Sequence, residues 1–161
     1  MKTFGYLFIL SICLISCNSS AQKDKEAKEE TFKVTKTDAE WKAQLSPSAY
    51  KVLRHEGTEP AFSSDLNDNQ KKGVYVCAGC GTAVFESKHK FDSGTGWPSF
   101  DRALKGNVAF TTDNKLGYTR TEEHCATCGG HLGHVFNDGP METTGERHCI
   151  NGVALKFIPE E

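Results

Sequence analysis

A mainly β fold with short N-terminal helices and antiparallel strands is predicted by three features of this sequence. Helix-start signals are confined to residues 37–57. From Gly73 onward, short runs rich in β-branched and aromatic residues are punctuated by glycine, the pattern of brief strands joined by tight turns. Two Cys-x-x-Cys-Gly segments, Cys77–Gly81 and Cys125–Gly129, interrupt those runs at separate places. The chain has 161 residues, 37% hydrophobic and 25% charged, which suits one soluble globular domain. The formal net charge is −2 and no long basic run occurs, so nothing in the sequence favours nucleic acid as a partner.

The first segment stands apart from the fold. Lys2 gives a short positive start, Phe4 to Ile15 is almost wholly apolar, and the chain turns polar at Asn18. That run is too short to span a bilayer and has the form of an export signal over residues 1–17. Two cleavage sites are available. Leu14-Ile15-Ser16-Cys17 resembles the lipobox of bacterial lipoproteins, where Cys17 is acylated and becomes the first mature residue. Ser19-Ser20-Ala21 offers ordinary secretory cleavage before Gln22. Either places the protein in the bacterial cell envelope, membrane-anchored in the first case and soluble in the periplasm in the second. Residues 18–31 are polar, mix Lys with Glu, and form a flexible tether to a domain over 32–161.

Within the domain, Thr37-Asp38-Ala39-Glu40 has the form of a capping box opening a helix through Leu45. Ser46-Pro47 starts a second helix, with Gly57 just past its end. Residues 58–72 are irregular. Strands are expected at Gly73–Cys77, Ala83–Glu86, Val108–Thr112, Leu116–Thr121, His131–Phe136 and Val153–Ile158. The Asp113-Asn114-Lys115 segment is expected to turn a hairpin.

Seven cysteines are present, and export removes Cys13 while Cys17 is acylated or cleaved away. The remaining five divide into two tight pairs and one single residue. Each Cys-x-x-Cys turn aims two thiolates at one point, and two such turns supply the four soft ligands of a tetrahedral zinc ion: Cys77, Cys80, Cys125 and Cys128. The gap between the pairs exceeds that of a small zinc finger, so one structural ion per chain would clip distant parts of the sheet together. A thioredoxin-type redox pair needs a βαβ setting that is absent here.

Cys149 is left alone, and by itself it is as compatible with an inert buried thiol as with a reactive one. Arg147-His148-Cys149-Ile150-Asn151 reads as a strand leading to Gly152, with Arg147, Cys149 and Asn151 on one face and His148 on the other. A cation beside the sulfur would favour thiolate, and Asn151 would meet a polar substrate oxygen. His131 and His134 are general-acid candidates if they face Cys149 and ordinary core or surface histidines if they do not. In the loop Asp92–Phe100, Phe100 reads as core, whereas Trp97, following two glycines, is placed to line a pocket.

Taken in order, Gly57-Thr58-Glu59-Pro60, Ser93-Gly94-Thr95-Gly96-Trp97-Pro98-Ser99-Phe100, Gly130-His131-Leu132-Gly133-His134-Val135-Phe136 and Arg147-His148-Cys149-Ile150-Asn151 closely resemble the methionine sulfoxide reductase B family. The resemblance covers roughly residues 36–158 and includes both cysteine knuckles. It implies a β-tent with zinc lying away from the active site. The implied reaction is reduction of the R epimer of methionine sulfoxide, chiefly in proteins. By resemblance Cys149 attacks, His131 and His134 hydrogen-bond the oxygen with His134 as the acid, Asn151 and Arg147 orient and polarise, and Trp97 holds the methyl group. Activity on the S epimer should be weak or absent.

The sequence departs from the family at Thr95, where many members carry a cysteine that resolves the oxidised enzyme. The implied recycling is therefore direct attack by an external thiol, such as a thioredoxin-like protein. Two other classes compete: a zinc-held binding module without catalysis, and a thiol-disulfide oxidoreductase working through one Cys-x-x-Cys pair. The first has no need of Cys149, His131, His134 and Asn151 together. The second requires a knuckle that opens to reductant without unfolding.

Overall fold

The computed structural model describes residues 31–161. The export signal, nearly all of the tether, and Cys17 lie outside the described residues. No helix among the described residues is long and apolar enough to cross a membrane.

Two helices open the domain. In α1 (Asp38–Gln44) the capping box forms as the sequence predicts: Thr37 accepts from the Glu40 backbone N–H and Glu40 reaches back to the Thr37 backbone. In α2 (Pro47–His55) Ser46 caps the start, the left-handed cap ending it is Glu56, at φ 50°, and Gly57 lies just past it as expected. Both helices cover the cysteine knuckles. Gln44 donates to the Gly79 carbonyl at 2.6 Å, and Arg54 donates to the Cys128 carbonyl at 3.0 Å.

Among the described residues nine strands follow in two sheets, and every pairing is antiparallel. The smaller has the order β2-β1-β9, from β1 (Gly73–Cys77), β2 (Ala83–Glu86) and β9 (Leu155–Pro159). The larger runs β3-β4-β8-β7-β6-β5, from β3 (Lys90–Phe91), β4 (Ser99–Phe100), β5 (Val108–Asp113), β6 (Arg120–Cys125), β7 (His131–Phe136) and β8 (Arg147–Ile150). β1, β2 and β7 fall on their predicted residues. The two-residue strands β3 and β4 carry too short a pattern to be read in advance.

β5 runs one residue past the expected Thr112 and β8 stops at Ile150, one short of Asn151, while two strands start elsewhere than expected. β6 begins at Arg120, not Leu116, because Gly117 adopts φ 80° and residues 114–119 form the turn, leaving Leu116 and Tyr118 exposed. β9 begins at Leu155, because Gly152–Ala154 first makes one 3-10 turn.

The core joins the two sheets. Phe85 of β2 stacks on Phe100 of β4 at 4.4 Å, and Tyr75 of β1 meets the same ring edge-on at 5.0 Å. All three are fully buried. Such aromatic pairs add about 0.5–1.5 kcal/mol each beyond the area they bury. Phe100 is thus core, as its place in the Asp92–Phe100 loop predicts.

Candidate active site

β8 carries Cys149 into the middle of the larger sheet, between β4 and β7. Its Cα partners are Ser99 on one side and His134 on the other. Directly opposed residues share a sheet face, so Cys149 and His134 project together. Gly133 makes this approach possible: a Cβ there would stand 2.0 Å from the Cys149 carbonyl oxygen. The predicted alternation holds. Arg147 lies on the Cys149 side with its guanidinium near the sulfur, while His148 turns to the opposite face and donates through Nδ1 to buried Glu123 at 2.9 Å.

Cys149, His134, Trp97, Asn151, Thr58, Arg120, Gly133 and Phe136 line a cavity of about 140 Å³. That is well below the roughly 300–1,000 Å³ of typical ligand pockets, and it suits a single side chain. A larger groove of about 530 Å³ borders the smaller sheet near Lys72, Glu86 and Lys88, but neither a sulfur nor an imidazole lines it.

Burial pushes the Cys149 thiol above the ordinary cysteine range, and the opposing pull of Arg147 and of the Thr95 hydroxyl does not reverse it. The cation beside the sulfur is present, as the alternation predicts, but its effect is outweighed. Arg147 is also engaged elsewhere, donating through Nε and Nη2 to Asp138, both at 2.9 Å, and lying over the Phe136 ring.

His134 is half-buried, and burial lowers its pKa despite the Asp113 carboxylate 2.9 Å from Nε2. Hydrogen bonds from the Lys115 backbone N–H, His134 and Arg120 hold the Asp113 carboxyl well below the usual carboxylate range. Asp113 is therefore ionised, and the Nε2 proton of His134 donates to it. His131 is 2% exposed and does not line the cavity. Its Nδ1 donates to Glu122 at 2.7 Å, its ring sits 5.3 Å from that of His134, and its buried Nε2 has no partner among the described residues.

Asn151 follows β8 and is clamped by backbone. Its carbonyl accepts from the Glu59 N–H and its amide donates to the Leu132 carbonyl, both at 2.9 Å, leaving one amide hydrogen. Trp97 is fixed by its indole N–H donating to the Glu59 carbonyl at 3.1 Å. The Glu59 carboxylate, itself buried, accepts from the backbone N–H groups of Gly152 and Val153. One residue therefore ties Trp97, Asn151 and the turn after Cys149 together.

Asp113, Arg120 and Glu122 were not singled out from sequence as site residues, and Glu59 was quoted only within the Gly57–Pro60 motif, without a role. Asp113, Arg120 and Glu122 alternate along a hairpin in which Asp113 pairs with Arg120 and Thr111 with Glu122. Charged residues repeating at period two on facing strands are the signal, and it is lost when the turn is placed at 113–115.

The second centre is sulfur alone. Ligand atoms of Cys77, Cys80, Cys125 and Cys128 all lie within 4.8 Å of one another, with Cys77 and Cys128 Sγ 3.7 Å apart and Cys80 and Cys125 Sγ 3.5 Å apart. Zinc–sulfur bonds of about 2.3 Å in a tetrahedron place sulfurs roughly 3.8 Å apart, so the cluster fits that ion. One knuckle closes β1 onto β2 and the other closes β6 onto β7, so the cluster joins the two sheets.

Comparison with known proteins agrees with this geometry. The model of the SelR domain matches residues 45–159. A peptide methionine sulfoxide reductase MsrB of Leptospira interrogans serovar Lai is 52% identical over 130 residues, 80% of this chain and 98% of that protein. The protein of the same name from Thiobacillus denitrificans is 52% identical over 127 residues, covering 78% and 96%. That from Methanosarcina mazei is 51% identical over 130 residues, covering 80% and 92%. With a cysteine and a histidine paired across one small cavity, a four-sulfur clip between the sheets and this extent of similarity, the chain belongs to the methionine sulfoxide reductase B family.

Proposed function

We propose that the chain reduces the R epimer of methionine sulfoxide, chiefly within proteins, to methionine, with Cys149 as the attacking sulfur. The observation that carries this is the convergence of Cys149, His134 and Trp97 on one side-chain-sized cavity. Three unlike contacts give a chiral centre its handedness: a nucleophile for the sulfur, a proton donor for the oxygen and an apolar seat for the methyl group.

The protons balance within the site. Cys149 enters as a thiol, because burial holds its pKa high. His134 enters as neutral imidazole, because burial holds its pKa low. As the Cys149 sulfur bonds to the sulfoxide sulfur, His134 takes the thiol proton and passes it to the oxygen, whose bond to the methionine sulfur breaks, with ionised Asp113 stabilising the transient imidazolium; the hydroxide released then bonds to the Cys149 sulfur and breaks its bond to methionine. Thiol and sulfoxide become sulfenic acid and thioether: Cys149 is oxidised and methionine sulfur reduced, and the solution supplies no proton. Arg147 steadies charge on the Cys149 sulfur. Asn151 offers its remaining amide hydrogen to the substrate, and His131, held through Nδ1 by Glu122, backs the His134 ring from outside the cavity.

Cys77, Cys80, Cys125 and Cys128 hold one structural zinc ion. A closed four-thiolate site supplies rigidity and offers no position for substrate. An external thiol, such as that of a thioredoxin-like protein, attacks the Cys149 sulfenic acid and restores the enzyme. The protein is placed in the envelope with Cys17 as its lipid anchor, for which loss of labelled-lipid incorporation in Cys17→Ala is the test.

Separated R and S epimers of a blocked methionine sulfoxide, incubated with a small dithiol, test the reaction. Turnover of R alone is expected, abolished in Cys149→Ser and lowered by roughly 10²–10⁴ in His134→Ala. An active Cys149→Ser protein would end this assignment.

A further inference from the structure

A chain of three hydroxyls runs from the nucleophile to the methyl seat, and the mechanism above uses none of it. Thr95 Oγ1 lies 4.0 Å from Cys149 Sγ. It is 2.8 Å from Ser93 Oγ, which is 2.7 Å from Ser99 Oγ. Ser99 Oγ donates to the Trp97 carbonyl at 3.1 Å. Ser99 is 1% exposed and its backbone pairs with that of Cys149, so the sheet fixes the inner end of the chain.

Counting hydrogens gives the chain a direction. It has four links but only three hydroxyl hydrogens. With Cys149 a thiol, S–H donates to Thr95, Thr95 to Ser93, Ser93 to Ser99, and Ser99 to the Trp97 carbonyl, so every link is filled. When the sulfur loses its proton, the old orientation would turn Thr95 lone pairs toward a negative charge. Rotating all three hydroxyls removes that repulsion. Thr95 then donates to the sulfur, Ser93 to Thr95, and Ser99 to Ser93. The Trp97 carbonyl gives up its hydrogen bond from Ser99.

We propose that Thr95, backed by Ser93 and Ser99, donates the hydrogen bond that stabilises ionised Cys149, and that ionisation of this sulfur is thereby coupled to the carbonyl of Trp97. The coupling belongs to the resting protein, and only its consequence for turnover rests on Cys149 being the attacking sulfur. The charged and titratable groups facing Cys149 are Arg147 on its own strand, His134 on β7, Arg120 at the cavity wall and Glu123 behind β8. None of them is altered by substitution within the chain. A hydrogen bond to an ionised group is also stronger than one between neutral partners, so the long Thr95 contact tightens as the sulfur charges.

The test is the rate of Cys149 alkylation by iodoacetamide against pH, on zinc-loaded protein, with Cys149→Ser as the blank for the other cysteines. Thr95→Val is expected to raise the midpoint by about one pH unit, a tenfold loss of thiolate at a given pH below it. Thr95→Ser should restore the wild-type midpoint. Ser93→Ala does not touch the sulfur and should shift the midpoint in the same direction by less. Unchanged midpoints in Thr95→Val and Ser93→Ala would overturn the proposal. A shift in Thr95→Val alone would also overturn it, since a local contact needs no chain behind it. R-epimer turnover in Thr95→Val should show a several-fold lower kcat with KM unchanged. Shifted midpoints in a protein that reduces neither epimer would uphold the chain and remove the proposed reaction.

Discussion

Burial acts on Cys149 and His134 in opposite directions, raising one and lowering the other, so both are uncharged at neutral pH. In the proposed reaction Asp113 is the group that keeps such a pair useful, because its ionised carboxylate holds the His134 ring in place and would favour the imidazolium. Its lowered pKa is also a statement about stability. A carboxylate with a depressed folded-state pKa contributes stability that is present above its unfolded value near 3.9 and lost as pH falls through the folded value. Asp113→Asn should therefore be less stable than wild type at pH 7, with the difference shrinking below about pH 4. Denaturant midpoints measured from pH 7 down to pH 3 check this; a constant difference across the series would sink it. The same variant should lose turnover, because a neutral amide supports imidazolium poorly. Asp113 was not legible from sequence as a site residue. Its side chain reaches His134 across two hairpins, and only the register of β5, β6 and β7 brings the two within 2.9 Å. Cys149 was legible, because five cysteines outside the amino-terminal segment leave one without a partner.

At the scale of elements, the turn that closes β6 onto β7 is the Cys125–Cys128 knuckle, and those two strands carry Glu122, His131 and His134. The four-cysteine cluster is therefore continuous with the strands that carry the proposed acid, although it makes no contact with substrate in the proposed reaction. Gly129, at φ 67°, lets the chain leave the knuckle, and Leu53 of α2 lies against Gly130 just beyond it. If the proposed zinc is removed, four buried or half-buried sulfurs are left crowded together with no ion between them. Strong chelation should release one zinc per chain and lower Tm and R-epimer turnover in parallel. Returning zinc should restore both. Full activity in metal-free protein would separate the staple from the site. The knuckles could be read in advance because their spacing is local, and the helix caps for the same reason. The start of β6 could not. Its residues Glu122, Glu123 and His124 look like a solvent face, yet Glu123 and His124 are buried and Glu122 serves His131. Sequence periodicity assigns polar residues to water unless their partners are known, and here the partners lie on β7 and β8.

Across the whole molecule, the free thiols divide into a cluster and a single residue. Four of the five cysteines among the described residues converge on one point between the two sheets, and Cys149 stands in a separate cavity beside Thr95. In the proposed zinc site these four cysteines would be poor resolving thiols, since each sulfur would already be bonded and its departure would unclip the sheets. Oxidation at Cys149 should then have nowhere to go within the folded domain. The mature domain treated with excess R sulfoxide and no reductant should produce one methionine per chain. It should gain about 16 Da as a sulfenic acid that dimedone captures at Cys149. A loss of about 2 Da, with dimedone excluded, would mean that a knuckle cysteine had resolved the sulfenic acid and that recycling is internal. Thr95→Cys supplies the complementary case. With a thiol placed where the hydroxyl now lies 4.0 Å from Cys149, the same treatment should yield the 2 Da loss and a protein in which this new disulfide, not the sulfenic acid, awaits the external donor.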